Sequence, residues 1–492
     1  MGARRPRSCF DRGMHGPMAL PPGPTAPPFV QLARIISDPI GFFDACAARH
    51  GDAFTVRITG QPPLVMFSHP DAIREIFTSG PDDFHAGEGN APVEVVLGKH
   101  SLLLLDGAAH LRQRKLLMPP FHGPRLHVYA GMTCALTDDA LASWPRGRPF
   151  PVLRETRRLA LEIILRTVFG IDDAARLEQL RERLYALVNG AQNPMVPAFA
   201  LALSPARIAA LFRLAEAPAP GAPGWRSAWR RALAPLLPWS GLAAALREVD
   251  VFLYAEIARR REAGTAGRTD VLSMLIDARD EAGAPMTPEE LRDEMVTLLI
   301  AGYETTATTL AWTLKWLVEH PAALAKARAE LAAVAGDGAP DPSALASLSY
   351  LDAVIRETLR LNSALPNLLR RVQKPVRIGG IDLPVGVMVG PVMQLTHMRR
   401  DVWGDPEAFR PERFLERKVT PYEFYPFGGG TRRCIGMAFA MFEIKVALTR
   451  ILPRFDLRAG SDRPVRPVRH GVALAPSGGM PLVVLDREPA TR

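Results

Sequence analysis

Apolar positions recur at helical spacing through most of the chain, and the stretches that alternate instead are few and short. Residues 1–28, "MGARRPRSCFDRGMHGPMALPPGPTAPP", show neither pattern, and their prolines predict a flexible entry into the fold. From residue 29 the pattern is regular. "PIGFFDACAARHG" reads as a helix, and "AFTVRITGQPPLVMFS" as a hairpin with β-branched and aromatic residues on both sides of a Gly-Gln-Pro-Pro turn. Residues 101–260 are mostly helical by period. The Pro-rich 213–240 stretch within them reads as a loop or insertion.

The clearest helix starts at Thr287, with Thr as N-cap, Pro288 at the first helical position and Glu290 three residues past the cap. It is expected to stop at Pro321, which gives a rod of roughly 48 Å at ~1.5 Å per residue. Its middle, "VTLLIAGYETTATTLAW", is apolar on nearly all sides and should be buried. A second helix carries "YLDAVIRETLRLNSALP". Short β-like pieces follow in "VQKPVRIGGIDLPVGVMVG", and another helix begins after Cys434. No linker interrupts 29–485. The pattern predicts a mainly α fold with small β-sheets, with residues 29–492 forming one domain.

Composition narrows the class. The chain is 48% hydrophobic and 23% charged, ordinary for a soluble globular protein, and has no internal repeat that would mark a solenoid. Cys9, Cys46, Cys134 and Cys434 lie far apart, which supports neither a disulfide framework nor a CxxC zinc site and fits a reducing cytoplasm. The N-terminus lacks an apolar signal core and the ~20 apolar residues of a membrane anchor. The net charge of +9 is compatible with a basic face for an acidic partner. Zinc-finger spacing, RNP-type aromatic motifs and long Lys/Arg blocks are all missing, so nucleic acid is not the expected partner.

Candidate chemistry centres on "FGGGTRRCIG", residues 427–436. Gly428, Gly429 and Gly430 permit positive φ and close approach of the backbone to a flat ligand. Cys434 then precedes a helix, whose N-terminal N–H groups and partial positive charge should lower the thiol pKa. A thiolate held in this way is a metal ligand or a nucleophile. No other Cys or His is near in sequence. Tetrahedral zinc would need several ligands, whereas haem iron needs only one axial ligand.

The stretch resembles the haem-ligand signature of the cytochrome P450 superfamily, Phe-x-x-Gly-x-Arg-x-Cys-x-Gly, with every fixed position matched. Three further motifs agree in the family's order, so the resemblance covers roughly residues 30–485. It implies the P450 fold, with haem b (iron protoporphyrin IX) between the long central helix and the Cys434 loop and helix. Cys434 is then the iron ligand, with Phe427, Gly428 and Gly436 against the cofactor. "AGYETT" at 301–306 resembles the family's oxygen-binding groove. There Ala301 and Gly302 leave room for a diatomic ligand, and Glu304 and Thr305 relay protons, with Thr306 as the alternative alcohol. "ETLR" places Glu357 and Arg360 in a buried network with Arg413 of "FRPERF". In "HLRQR", His110 and Arg114 resemble donors to the haem propionates, joined by Arg432 and by Arg371, with Arg370 as the alternative.

The resemblance implies a soluble bacterial-type monooxygenase, cytoplasmic and monomeric, without a transmembrane anchor. It would insert one oxygen atom from O2 into an apolar organic substrate, such as a fatty acid, terpenoid or polyketide-like molecule. No flavin or iron–sulfur region is recognisable, so electrons are expected from a separate ferredoxin or flavodoxin-type donor with its NAD(P)H reductase. Arg112, Lys115, Arg432 and Arg433 are the expected docking face for it.

Overall fold

In the computed structural model the described residues are 19–487, apart from 124, 172, 192–202, 204–206, 209, 213–238, 335–341 and 472. The Pro-rich stretch 213–240 therefore lies almost wholly outside them, as does most of 195–212.

The long helix runs Pro288–Glu319, with the boundaries its sequence signals dictate. Thr287 Oγ1 accepts from the Glu290 N–H at 3.1 Å, and the Glu290 carboxylate accepts from the Thr287 N–H at 2.7 Å. Leu299, Ala307, Leu310, Ala311 and Leu314 are buried along it. Helices Val152–Ile164, Ser240–Ala263, Ser349–Leu361 and Met437–Arg454 pack around it, so it forms the axis of the main core. Among the described residues, no helix is long and apolar enough to cross a membrane.

The strands form small sheets at the margin of this helical body. The expected hairpin is present as Ala53–Val56 paired antiparallel with Leu64–Phe67. It continues into a five-stranded sheet in the order Ala53–Val56, Leu64–Phe67, Met388–Pro391, Arg370–Val372, Phe84–His85, in which only the second and third strands are parallel. A three-stranded sheet joins Phe150–Pro151, Pro481–Asp486 and Phe455–Ala459, and Pro467–His470 pairs with Ala473–Pro476.

The expectation of a flexible entry over 1–28 is corrected for residues 19–27. The Thr55 hydroxyl donates to Pro21 O at 2.6 Å, the Thr55 N–H donates to Pro22 O, and Gln31 Nε2 donates to Pro24 O and Ala26 O. Prolines leave carbonyl acceptors but no N–H, and here those acceptors are what tie the segment down.

Two buried polar clusters brace the parts that position the Cys434 loop. In the first, Glu357 and Arg360 are fully buried and meet in a two-pronged pair at 2.7 and 2.8 Å. Arg413 adds a bond to Glu357 at 3.2 Å. Arg360 also donates to His397 O, and Arg413 to Trp403 O, so the network holds the segment leading to the Cys434 loop against helix Ser349–Leu361. In the second, the long helix grips residues 98–106. Asp293 accepts from the His100 N–H at 2.9 Å, Glu294 accepts from the Leu102 N–H at 2.7 Å, and the Thr297 hydroxyl meets that of Ser101 at 2.7 Å. Gln113 Nε2 donates to the same Glu294 oxygen at 3.0 Å.

Removing Glu357 leaves two arginines buried without their carboxylate. Glu357→Ala is expected to destabilise the protein by about 3–5 kcal/mol in urea denaturation, and a loss below ~1 kcal/mol would contradict the bracing role. Burial pushes the Glu294 carboxyl up from 4.5 to about 8. Between those values the folded state holds a proton that the unfolded chain has released. Stability should therefore fall as pH rises from about 4.5 to 8, by at most ~1.4 kcal/mol per pH unit, and level off above that. Glu294→Gln should flatten this slope in melting curves taken across pH 5–8, and an unchanged slope would contradict the assignment.

Candidate functional site

The loop before Cys434 is built by two different uses of glycine. Gly428 (φ 69°) and Gly430 (φ 63°) occupy the left-handed region. Gly429 is extended, but a Cβ there would fall 2.2 Å from a Phe77 ring carbon. The Cys434 N–H donates to Phe427 O at 2.8 Å, and the Gly428 N–H to Tyr425 O at 2.8 Å, which closes the loop. Helix Met437–Arg454 follows at once, with Gly436 as its cap. The backbone N–H groups of Gly436 and Met437 and the charges of Arg114 and Arg433 lie near the Cys434 sulfur and favour its thiolate form. It keeps accessible surface although protein atoms surround it on most sides.

The expected fall of the thiol pKa is corrected. Burial is the larger effect and raises it, outweighing the two N–H groups and the arginines. A coordinated metal cation would reverse that balance, since a coordinating thiol is deprotonated outright.

His110 and Arg114 lie one turn apart on helix Gly107–Leu117, with Arg114 near the sulfur. His110 is buried, and burial with the nearby Arg432 and Arg114 pushes it down to about 3, so it is a neutral donor. Arg114 is half-buried, and among the described residues no carboxylate pairs with it. Burial lowers its pKa, opposed by the Cys434 charge alone. Arg432 donates to Leu102 O and Leu105 O and pairs with Asp106, so the gripped loop also holds the signature arginine. A single sulfur donor beside an unpaired guanidinium and a neutral imidazole suits a flat cofactor that ligates through one protein atom and carries carboxylates. Among the described residues, no three His, Cys, Asp or Glu side chains gather into a group that could hold a metal by themselves.

Two expectations about cations are corrected. Arg371 pairs with Glu88 at 2.8 Å on the outer side of its strand, whereas the buried Arg370 donates to Gly429 O at 3.0 Å and Ile76 O at 3.1 Å. Adjacent strand residues face opposite ways, so only Arg370 reaches the Cys434 loop. The basic docking face is largely neutralised within the chain. Arg112 pairs with Asp280 at 2.6 Å and Glu290 at 2.7 Å, Lys115 with Glu281 at 2.5 Å, and Arg432 with Asp106. Of the four, Arg433 alone has no carboxylate partner among the described residues; its guanidinium contacts the Met437 sulfur.

At the centre of the long helix, Ala301 is exposed although its helical neighbours are mostly buried. The Thr305 hydroxyl donates back to Ala301 O at 2.8 Å and remains partly accessible. Thr306 is buried beside Thr156, Leu159 and Glu443, which leaves Thr305 as the available alcohol. Gly302 does not leave open room: a Cβ there would lie 2.8 Å from Ile164 Cδ1, so its smallness serves helix packing. Glu304 is buried and turned toward Arg157, which it meets at 2.5 Å, with His470 Nδ1 at 3.6 Å. Sequence reasoning missed Arg157 and His470. Neither lies in a motif, and both come to Glu304 only through tertiary packing.

A protein-family model described as Cytochrome P450 matches residues 21–214 and 235–483. A relative named as cytochrome P450 135B1 of Mycobacterium tuberculosis is 38% identical over 464 residues, covering 94% of this chain and 90% of its own. One named as cytochrome P450 135A1 of the same species is 34% identical, covering 95% and 96%. Among solved structures, the retinoic acid-bound cyanobacterial CYP120A1 superposes with a TM-score of 0.79 at 22% identity, covering 96% of this chain and all of that one. The haem domain of cytochrome P450DA gives 0.79 at 24% identity, covering 96% and 99%. With the cysteine loop, the long helix and the matched length in agreement, the chain belongs to the cytochrome P450 family and is a haem monooxygenase.

Proposed function

We propose that this P450 hydroxylates or epoxidises an apolar organic molecule of the fatty acid, terpenoid or polyketide-like class, with haem b ligated by Cys434. The observation that carries the reading is the Cys434 sulfur, with two backbone N–H groups near it at a helix start and beside it Arg114, which has no carboxylate partner among the described residues. Bound haem supplies the reductive activation of dioxygen, and the protein supplies binding, orientation and protons.

The chain's residues divide that work. Arg114 and neutral His110 would meet the propionates, with Arg432 near them and Arg370 stiffening the loop through Gly429 O. Phe427, Gly428 and Gly436 belong to the sulfur-bearing turn and would line the face toward the cofactor. Ala301 gives the small accessible face on the long helix. Thr305 offers a hydroxyl whose own proton is engaged by Ala301 O, leaving its oxygen free to accept and orient a proton donor. Glu304 is the acid that resupplies it. Leu365, Leu368 and Leu369 are only partly buried and give the approach an apolar character. Electrons come from a separate ferredoxin or flavodoxin-type protein with its NAD(P)H reductase.

Fatty acids and terpenoids should shift the ferric absorption spectrum and yield oxygenated product with a surrogate ferredoxin and reductase. Polar compounds of similar size should do neither, and a preference for them would contradict the substrate class. With such a substrate, Thr305→Ala should lower product per NAD(P)H by about tenfold or more and release hydrogen peroxide instead. Unchanged coupling in that variant would remove Thr305 from the relay.

A further inference from the structure

Glu304 lies within a trio drawn from three separate elements. Arg157, on helix Val152–Ile164, donates to Glu304 Oε1 at 2.5 Å. His470, at the end of strand Pro467–His470, brings Nδ1 to 3.6 Å from the same oxygen. Arg157 also donates to His470 Nε2 at 3.4 Å. A guanidinium can only donate, so Nε2 must accept, and the ring proton then sits on Nδ1, facing Glu304. Exposure is graded across the trio: the His470 side chain is 31% accessible, that of Arg157 20% and that of Glu304 7%. Glu304 Oε2 and His470 Nδ1 are both buried atoms without a hydrogen-bond partner among the described residues. Among the described residues, the charged or titratable groups facing Glu304 are Arg157 from the helix and His470 from the strand.

We infer that His470 is the group through which water reloads Glu304 with protons, and that Arg157 positions both partners for the transfer. The inference rests on the reading of Glu304 as the relay acid. A proton from water binds His470 Nε2 when the long Arg157 contact there, 3.4 Å, gives way, and the Nδ1 proton passes to Glu304 Oε1. This leaves a neutral ring and a protonated carboxyl, whose proton then moves on toward Thr305. An outward swing of the partly accessible ring lets Nδ1 take up a proton from water as Nε2 releases one, and on its return Arg157 favours the Nδ1–H tautomer by donating to Nε2. Arg157 occupies Oε1 from one side, which fixes the carboxylate plane and leaves Oε2 uncommitted inside the protein.

Burial and Arg157 push the His470 pKa below its ordinary 6.5, and Glu304 opposes them. In histidine-labelled holoenzyme, the NMR signal lost in His470→Gln should therefore titrate below 6.5. It should move up in Arg157→Gln and down in Glu304→Gln. A signal that titrates at the ordinary value and ignores both substitutions would overturn the trio. Function is read with a surrogate ferredoxin and reductase as NADH-driven oxygen consumption. His470→Gln should slow it about tenfold, remove its decline with rising pH and raise the solvent deuterium isotope effect, with the rate of haem reduction unchanged. If His470→Gln keeps the wild-type rate, pH profile and isotope effect while Glu304→Gln is impaired, the inference falls and the relay reading stands. If neither variant is impaired, the relay reading itself fails, and the inference with it.

Discussion

A cysteine sulfur that, among the described residues, belongs to no cluster of side chains able to hold a metal is the constraint on which the rest of this structure depends. Burial alone favours the neutral thiol, and the Gly436 and Met437 N–H groups only soften that preference. The protein must therefore hold the sulfur in place by its backbone. Positive φ at Gly428 and Gly430 turns the chain, the bare Cα of Gly429 admits Phe77, and Arg370 clamps Gly429 O. The helix that follows is anchored in the main core by Phe439, Ile444 and Leu448, so the sulfur cannot drift from the helix start. The Glu357–Arg360–Arg413 network fixes the segment that leads in.

Charge around this sulfur is distributed unevenly. Arg432 is committed to Asp106 and loop carbonyls, Arg112 to Asp280 and Glu290, and Arg370 to carbonyls alone. Arg114 and the more exposed Arg433 lie close to the sulfur without a carboxylate partner among the described residues, and of the two Arg114 is the half-buried one. A half-buried guanidinium in that condition costs free energy unless an anion meets it, so the protein alone is electrostatically incomplete there. The same loop that engages Arg432 is held by Asp293 and Glu294 from the long helix. The two walls of the site are thus joined by hydrogen bonds rather than by contact alone.

Features set by short-range chemistry were legible in the sequence. Thr287, Pro288 and Glu290 marked the long helix start because a capping box is completed within four residues. The Cys434 loop was legible because glycine, cysteine and helix start follow one another directly. The preference for Thr305 over Thr306 came from the resemblance; in the fold Thr306 is buried and Thr305 stays partly accessible. What could not be read depended on distant partners. Choosing between Arg370 and Arg371 requires the strand's facing, which its neighbours Phe84–His85 and Met388–Pro391 set. The apparent basic face dissolved because the acids that neutralise Arg112 and Lys115 are supplied from residues 280–290. Gly302 looked like space for a ligand until Ile164 filled it. The prolines before residue 28 suggested looseness, yet their carbonyls dock on Thr55 and Gln31.

The most direct test of the account is the absorption spectrum of the dithionite-reduced, CO-bound protein, wild type and Cys434→His. A strongly red-shifted Soret band in the wild type, replaced in the variant by the shorter-wavelength band of histidine-ligated haem, is the result predicted for a working Cys434 thiolate. A wild-type band already at the shorter wavelength, or one indifferent to the substitution, would contradict it.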